Sequence, residues 1–174
     1  MSDIPLYGIT CAPADRSVEA EQALIEAGVD DDKAFLVTTQ PNPVPPSDFY
    51  GTVILFNSEE INISKWWDLG MEYIRGLNDG PFDVLLIESD ARMSSEDVVT
   101  VRAAMRDNNC VMAGSDWNNL LGPGVNHIRR DNSRWHTNGR IPGVAYIFAG
   151  EVEELRHNPE MRFWYADDWI TWSA

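Results

Sequence analysis

Two carboxylates separated by a single hydroxyl residue, Glu88-Ser89-Asp90, close the apolar run Phe82-Asp83-Val84-Leu85-Leu86-Ile87. Such a run reads as a strand buried on both faces. In an open α/β sheet, ligands bind in the crevice outside the carboxyl ends of the strands. Glu88 and Asp90 are two residues apart, so an extended chain puts them on the same side. Acids in that position can hold a hard divalent cation through oxygen. A cation there is placed to receive a diphosphate, which points to nucleotide or nucleotide-sugar chemistry. A second reading of the same residues stands beside this one, with Glu88 and Asp90 as solvated caps of a strand–helix turn.

The rest of the chain bounds what such a site can serve. At 174 residues, 44% of them hydrophobic and seven of them Trp, the sequence predicts one domain spanning 1–174 with a substantial core. The formal net charge is −15, from 13 Lys and Arg against 28 Asp and Glu. Phosphate backbones are held by Lys and Arg, so a long nucleic acid or an anionic membrane surface is disfavoured. A small anionic ligand is compatible, because a metal and one or two local Arg can overcome the global field. No apolar run reaches the length of a membrane span, and Met1-Ser2-Asp3-Ile4-Pro5 lacks the basic and apolar pattern of a signal peptide. Cys11 and Cys110 have no zinc-type spacing and read as free thiols in a reducing cytoplasm. His127, His136 and His157 likewise lack ligand spacing.

The elements that must position the acids follow from periodicity and punctuation. Leu6–Cys11 reads as a first strand, and Ala12–Arg16 as a turn. Ser17 is placed to cap a helix that runs through Ala27 and stops at Gly28. Ala34–Thr38 and Thr52–Phe56 read as strands on either side of Gln40–Asp48, an extended surface loop with four prolines. Ser64 is the expected cap of a helix whose Trp66, Trp67, Gly70, Tyr73, Ile74 and Leu77 recur at helical spacing and read as core. Ser94-Ser95-Glu96-Asp97 is a capping-box pattern opening a helix to about Asn109. Val111–Ala113 is a short fifth strand, and Gly143–Ala149 a later one. Between them, residues 114–140 show neither period and predict a long loop, ordering over a bound ligand as active-site lids do. Strand–helix alternation predicts a three-layer α/β sandwich around a mostly parallel sheet.

Taken in order, several stretches resemble the GT-A fold glycosyltransferases, especially the family 2 group. Trp67-Asp68-Leu69-Gly70-Met71 is similar to a helix start of that family, where Asp68 stands in place of the usual Asn. Glu88-Ser89-Asp90 is similar to its Asp-x-Asp motif, with Glu in the first position. Ile141–Ala145 resembles a strand lining the acceptor site, and Phe163–Asp168 resembles a later Glu-Asp motif. The resemblance spans Tyr7 to about Trp169. It implies a GT-A, Rossmann-like fold and transfer of a sugar from a nucleoside diphosphate donor to a hydroxyl acceptor, with inversion. It implies Mn²⁺ or Mg²⁺ held by Asp90 and Glu88, with Thr10, Cys11, Arg16, Asp68, Glu88 and Ser89 on the donor. Asp168, with Asp167 as second choice, is implied as the catalytic base.

Three alternatives stay open at this level. Asp167-Asp168 also suits the start of a terminal helix, where acids favour the positive end of the dipole. A sugar-nucleotide nucleotidyltransferase uses a similar sheet, but Ala12-Pro13-Ala14-Asp15-Arg16 lacks its Gly-rich, basic signature. A non-catalytic nucleotide-sugar or protein-binding domain of the same fold is the third.

Overall fold

Strand alternation decides which layer each core residue joins. The computed structural model of the chain describes residues 4–39, 49–56, 62–107, 109–115, 125–131, 134–137 and 145–152. In chain order these form β1 (Leu6–Cys11), α1 (Ser17–Glu26), β2 (Ala34–Thr39), β3 (Thr52–Phe56), α2 (Ile63–Leu77), β4 (Asp83–Ile87) and α3 (Ser95–Asp107). They continue with β5 (Met112–Ser115), β6 (Val125–Asp131), β7 (Arg134–Thr137) and β8 (Ala145–Ala149). The strands make one sheet in the order β3-β2-β1-β4-β8-β5-β6-β7. β1, β2, β3 and β4 pair in parallel. β8 runs antiparallel between β4 and β5, and β6 and β7 extend that edge as antiparallel strands. β1–β5 and β7 therefore share one direction, the mostly parallel α/β architecture expected.

In β4, Val84 and Leu86 face one core, with Trp66, Trp67, Met71 and Ile74 of α2. Leu85 and Ile87 face the other, with Ala20, Ala23 and Leu24 of α1 and Val98, Val101 and Met105 of α3. β8 divides in the same way, Tyr146 and Phe148 toward α2 and Ala145 and Ile147 toward α1 and α3. The three-layer sandwich is thus built by a period of two in the strands meeting a period of 3.6 in the helices. α2 lies close to the sheet because Gly70 has no side chain: a Cβ there would sit 3.1 Å from both Ile9 and Val37.

The helix ends show where local signals hold. Ser94 Oγ accepts from the Asp97 N–H at 3.1 Å, and the Asp97 carboxylate accepts from Ser94 N–H at 3.3 Å, completing the capping box of α3. The cap of α2 is Asn62, whose side chain accepts from Lys65 N–H at 3.0 Å, rather than Ser64. Ser17 is buried as the first residue of α1, with Arg16 in the cap position and no side-chain cap bond. Gly28 leaves α1 at a φ of +74°, a conformation open to glycine at little cost.

The region 114–140, expected as a long loop, carries the end of β5 and the paired strands β6 and β7. β6 and β7 pair from Ile128↔Thr137 to Asp131↔Arg134, and β6 in turn pairs with β5. β6 reads Val-Asn-His-Ile-Arg-Arg-Asp, which has no apolar alternation for a sequence reading to detect. Residues 116–124, 132–133 and 138–140 of that region lie outside the described residues, as do 153–174.

The amino-terminal end of the sheet is locked by charge. Asp83, the first residue of β4, is 1% exposed and accepts from Arg102 Nε at 2.9 Å and from Arg106. Arg102 also donates to the Ile4 carbonyl at 2.6 Å, and the Asp83 N–H donates to the Pro5 carbonyl at 2.9 Å. Removing one partner from a buried ion pair leaves an uncompensated charge, typically costing about 3–5 kcal/mol. The two Arg side chains are 26% and 32% exposed, which favours the lower end of that range. Asp83→Ala is expected to lower unfolding stability by about 3 kcal/mol, read as a lower urea midpoint at unchanged m-value.

Candidate functional site

The strand order itself marks the site. From β1 the chain steps to β2 and then β3 on one side, and α2 returns it to β4 on the other side of β1. The reversal between β1 and β4 opens a crevice at their carboxyl ends, the place where open α/β sheets bind ligands. β1 ends there in Thr10 and Cys11, and β4 delivers Glu88, Ser89 and Asp90 beside them. The two connections leave differently. After β1, Ala12 N–H donates to Val37 O at 3.2 Å and a single 3₁₀ turn, Ala14–Arg16, leads into α1. After β4, a turn closes with Ala91 N–H donating to Glu88 O at 3.0 Å.

Alternation sorts the candidates. Ile9 and Cys11 face α2, as do Val84 and Leu86. Glu88 continues the second parity, so it emerges on the α2 side, where its charge and that of Asp68 reach the Cys11 thiol. The Cys11 thiol registers that gathering. Burial pushes its pKa well above the ordinary value, the neighbouring Trp67 side chain lowers it, and the charges of Glu88 and Asp68 raise it again. Cys11 is therefore a neutral thiol at physiological pH, a weak donor and a contact surface rather than a nucleophile. Trp67 is held in turn by Tyr146 of β8, their rings stacked at 5.6 Å between centroids and 29° between planes. Trp66, Trp67 and Ile74 are buried, as their helical spacing predicts, whereas Tyr73 and Leu77, read as core with them, lie on the exposed side of α2.

The structure thus brings Cys11, Asp68 and Glu88 together, with Ser89 and Asp90 on the adjoining turn. Asp90 is exposed, whereas Ser89 is buried. Arg16 is exposed on the connection that leaves β1. Thr10 departs from expectation. It is fully buried, and alternation assigns it to the α1 and α3 face, so it backs the crevice and presents no surface to a ligand. Its hydroxyl has no hydrogen-bond partner among the described residues. Asp167 and Asp168 lie outside the described residues. Sequence reasoning missed the thiol contact of Trp67 and the support of Tyr146. Nothing in the local pattern links residues from three separate elements, although the position of Trp67 directly before Asp68 is a signal in hindsight.

Among the described residues no group of three His, Cys, Asp or Glu side chains forms a metal cage. The two acids on the β4 exit suit a different mode. Mg²⁺-type ions are commonly bound by one or two carboxylates together with substrate phosphates. Two open cavities, of about 410 and 340 Å³, lie at the opposite end of the sheet. They are framed by residues that clamp the fold, Arg75 on the Gly150 and Val152 carbonyls and Arg102 on Asp83.

The sign of the Cys11 shift sets a pH dependence. The folded pKa lies above the unfolded one, so the folded state retains a proton that the unfolded chain loses above the ordinary value of 9.0. The contribution to stability is complete below that pH and falls as pH rises through it, by about 1.4 kcal/mol per pH unit. Urea melts at pH 7 and pH 10 should show the wild type losing more stability than Cys11→Ala by about that amount.

No family model matches the chain, and no curated protein matches it in sequence. Solved structures do. S. aureus TarS residues 1–349 overlay with a TM-score of 0.59 at 10% identity, covering 96% of this chain and 54% of that one. A longer structure of S. aureus TarS gives 0.61 at 12% identity, covering 97% and 33%. A cytidylyltransferase from Leptospira borgpetersenii gives 0.53 at 8% identity, covering 97% and 71%. The chain spans about half of the first of these and a third of the second. At such identities the likeness is one of fold, and that fold is the GT-A, Rossmann-like sandwich.

Proposed function

We propose that the chain is a nucleotide-sugar-dependent glycosyltransferase, moving a sugar from a nucleoside diphosphate donor to a hydroxyl acceptor with inversion. The observation that carries this reading is the convergence of Cys11, Asp68 and Glu88 at the β1–β4 reversal, where the sequence resemblance places the donor. The overlay on TarS, with TM-scores of 0.59 and 0.61, supports the same direction.

The acceptor hydroxyl attacks the anomeric carbon as its proton passes to a carboxylate, while the bond from that carbon to the diphosphate oxygen breaks. Asp168 is the proposed base, with Asp167 beside it as second choice. Arg16 is placed to pair a phosphate oxygen bidentately. Ser89, Asp68 and Glu88 line the donor side. Asp90 and Glu88 would hold Mn²⁺ or Mg²⁺, which when bound neutralises charge on the departing diphosphate. The mouth is acidic and the whole chain carries −15, so a diphosphate needs such a cation or Arg to approach. The free thiols Cys11 and Cys110 fit a cytoplasmic setting, and no described helix is long and apolar enough to cross a membrane.

The overlay on a cytidylyltransferase, with a TM-score of 0.53, favours one second reading, nucleotidyl transfer to a sugar phosphate. The products separate the two. Glycosyl transfer releases a nucleoside diphosphate from a nucleotide sugar, and nucleotidyl transfer releases pyrophosphate from a nucleoside triphosphate.

Two variant pairs test the residue roles. Asp90→Asn is expected to weaken Mn²⁺-dependent binding of nucleotide sugar by about 10-fold or more, and Ser89→Ala by less. Equal affinities by calorimetry would remove Asp90 from the metal site. Asp168→Asn is expected to keep donor affinity while transfer drops by about 10²–10⁴-fold, with Asp167→Asn losing less. Transfer at the wild-type rate in Asp168→Asn would place the base elsewhere.

A further inference from the structure

The turn that carries Glu88, Ser89 and Asp90 is held by a side chain that follows it. Arg92 Nη1 donates to the Ser89 carbonyl at 3.0 Å and to the Ala91 carbonyl at 2.7 Å. Its Nε faces Glu26 Oε2 of α1 at 3.5 Å. The other oxygen of Glu26 accepts from Gln22 Nε2 at 2.9 Å, one helical turn earlier. A chain of contacts therefore runs from the exposed face of α1 to the backbone of the acidic turn.

The need for such a brace follows from the charges. Glu88 and Asp90 repel each other across one residue, and the charges of Glu88 and Asp68 both reach the Cys11 thiol. The turn is closed by Ala91 N–H on Glu88 O, and Arg92 adds a bond to the Ser89 carbonyl inside it. The Arg92 guanidinium places a positive charge beside the acids, its Nη1 tying the Ser89 and Ala91 carbonyls while its Nε faces Glu26 of α1. Lysine offers a point charge on a flexible stem and lacks arginine's planar fork. As an ion pair the Arg92–Glu26 contact contributes little, because both side chains are 42% exposed. The consequence of the contact is orientation.

We propose that Arg92 is a positioning residue that fixes the Glu88–Asp90 turn in the geometry needed to receive a metal-bound nucleoside diphosphate. This rests on the donor-site reading above, and extends it to a residue that touches neither donor nor metal. Carboxylates that ligate metals depend on groups that hydrogen-bond and orient them, and loss of such a group typically costs about 10–100-fold in affinity.

The test compares Arg92→Gln and Arg92→Lys with the wild type in three measurements. The first is the thermal midpoint, expected to be unchanged for an exposed side chain. The second is amide hydrogen exchange at Ala91, with Leu86 in the centre of β4 as internal control. Ala91 is expected to exchange about 3- to 10-fold faster in both variants, while Leu86 is unaffected. The third is calorimetric affinity for UDP and for CDP in the presence of Mn²⁺, expected to fall about 10-fold in both variants. Wild-type exchange at Ala91 in Arg92→Gln overturns the proposal. So does recovery of exchange and affinity in Arg92→Lys, since charge alone would then suffice. Faster exchange at Ala91 with unchanged nucleotide affinity also overturns it, leaving Arg92 a local brace. If the wild type binds neither nucleotide, faster exchange in both variants upholds the positioning of the turn, and the donor-site reading is what fails.

Discussion

Burial of β4 on both faces is the constraint from which the rest of the arrangement follows. All five of its residues are buried, with β1 on one side and β8 on the other. A strand so enclosed has no polar outlet along its length, so polar chemistry can appear only where it enters and where it leaves. Entry is at Asp83 and exit at Glu88-Ser89-Asp90. The parallel pairing with β1 also fixes the register, Leu6 with Asp83 and Ile9 with Leu86, and so brings the two carboxyl ends level. The crevice between them is a product of that pairing together with the return of the chain through α2.

The two ends of β4 use charge in opposite ways. At the entry, Asp83 is enclosed and paired with Arg102 and Arg106, and backbone bonds to Ile4 and Pro5 complete the set. Charges neutralised and fixed in this manner favour a single arrangement and leave little free capacity for a ligand. At the exit Glu88 and Asp90 stand two residues apart with like charge, and Asp90 is exposed. Excess charge of one sign around a crevice is unfavourable for the fold by itself, and it creates a field that a counter-ion can relieve. Stability and ligand capacity are thus separated by the length of one strand.

The aromatic residues of the α2 face link the core to that exit. Trp67 is buried, stacks on Tyr146 and lies beside the Cys11 thiol. Asp68 follows it by one residue, so the packing that fixes the indole also limits where the carboxylate can reach. Core packing of this kind holds polar groups within a narrow geometry, because closely packed interiors tolerate little displacement. The site is built on the ends of strands and the first turns of a helix, which are rigid elements, with a single connecting turn left to carry the acids.

Much of the layer structure was legible in the sequence, since it depends on local periodicity. The Phe82–Ile87 run, the helical spacing of Trp66, Trp67, Gly70 and Ile74, and the Ser94–Asp97 capping box each encode their own element through nearest neighbours. The GT-A resemblance was legible for the same reason, in the order of those elements and the acids after the fourth strand. The positions of Glu88, Asp68 and Cys11 within one crevice were legible only as separate candidates. β6 and β7 were not legible at all, because β6 pairs with β5 and β7 with β6 through the backbone while β6 carries no apolar alternation. Nor was the burial of Thr10 behind the crevice, which follows from the face that β1 turns toward α1. Arg92 meets Glu26 only because the fold brings α1 beside the turn. The sequence by itself determined which segments become strands and helices and which residue types close them. Tertiary structure alone decided which of those closing residues meet, because contacts between distant segments are set by strand order and register, and neither is encoded in any local pattern.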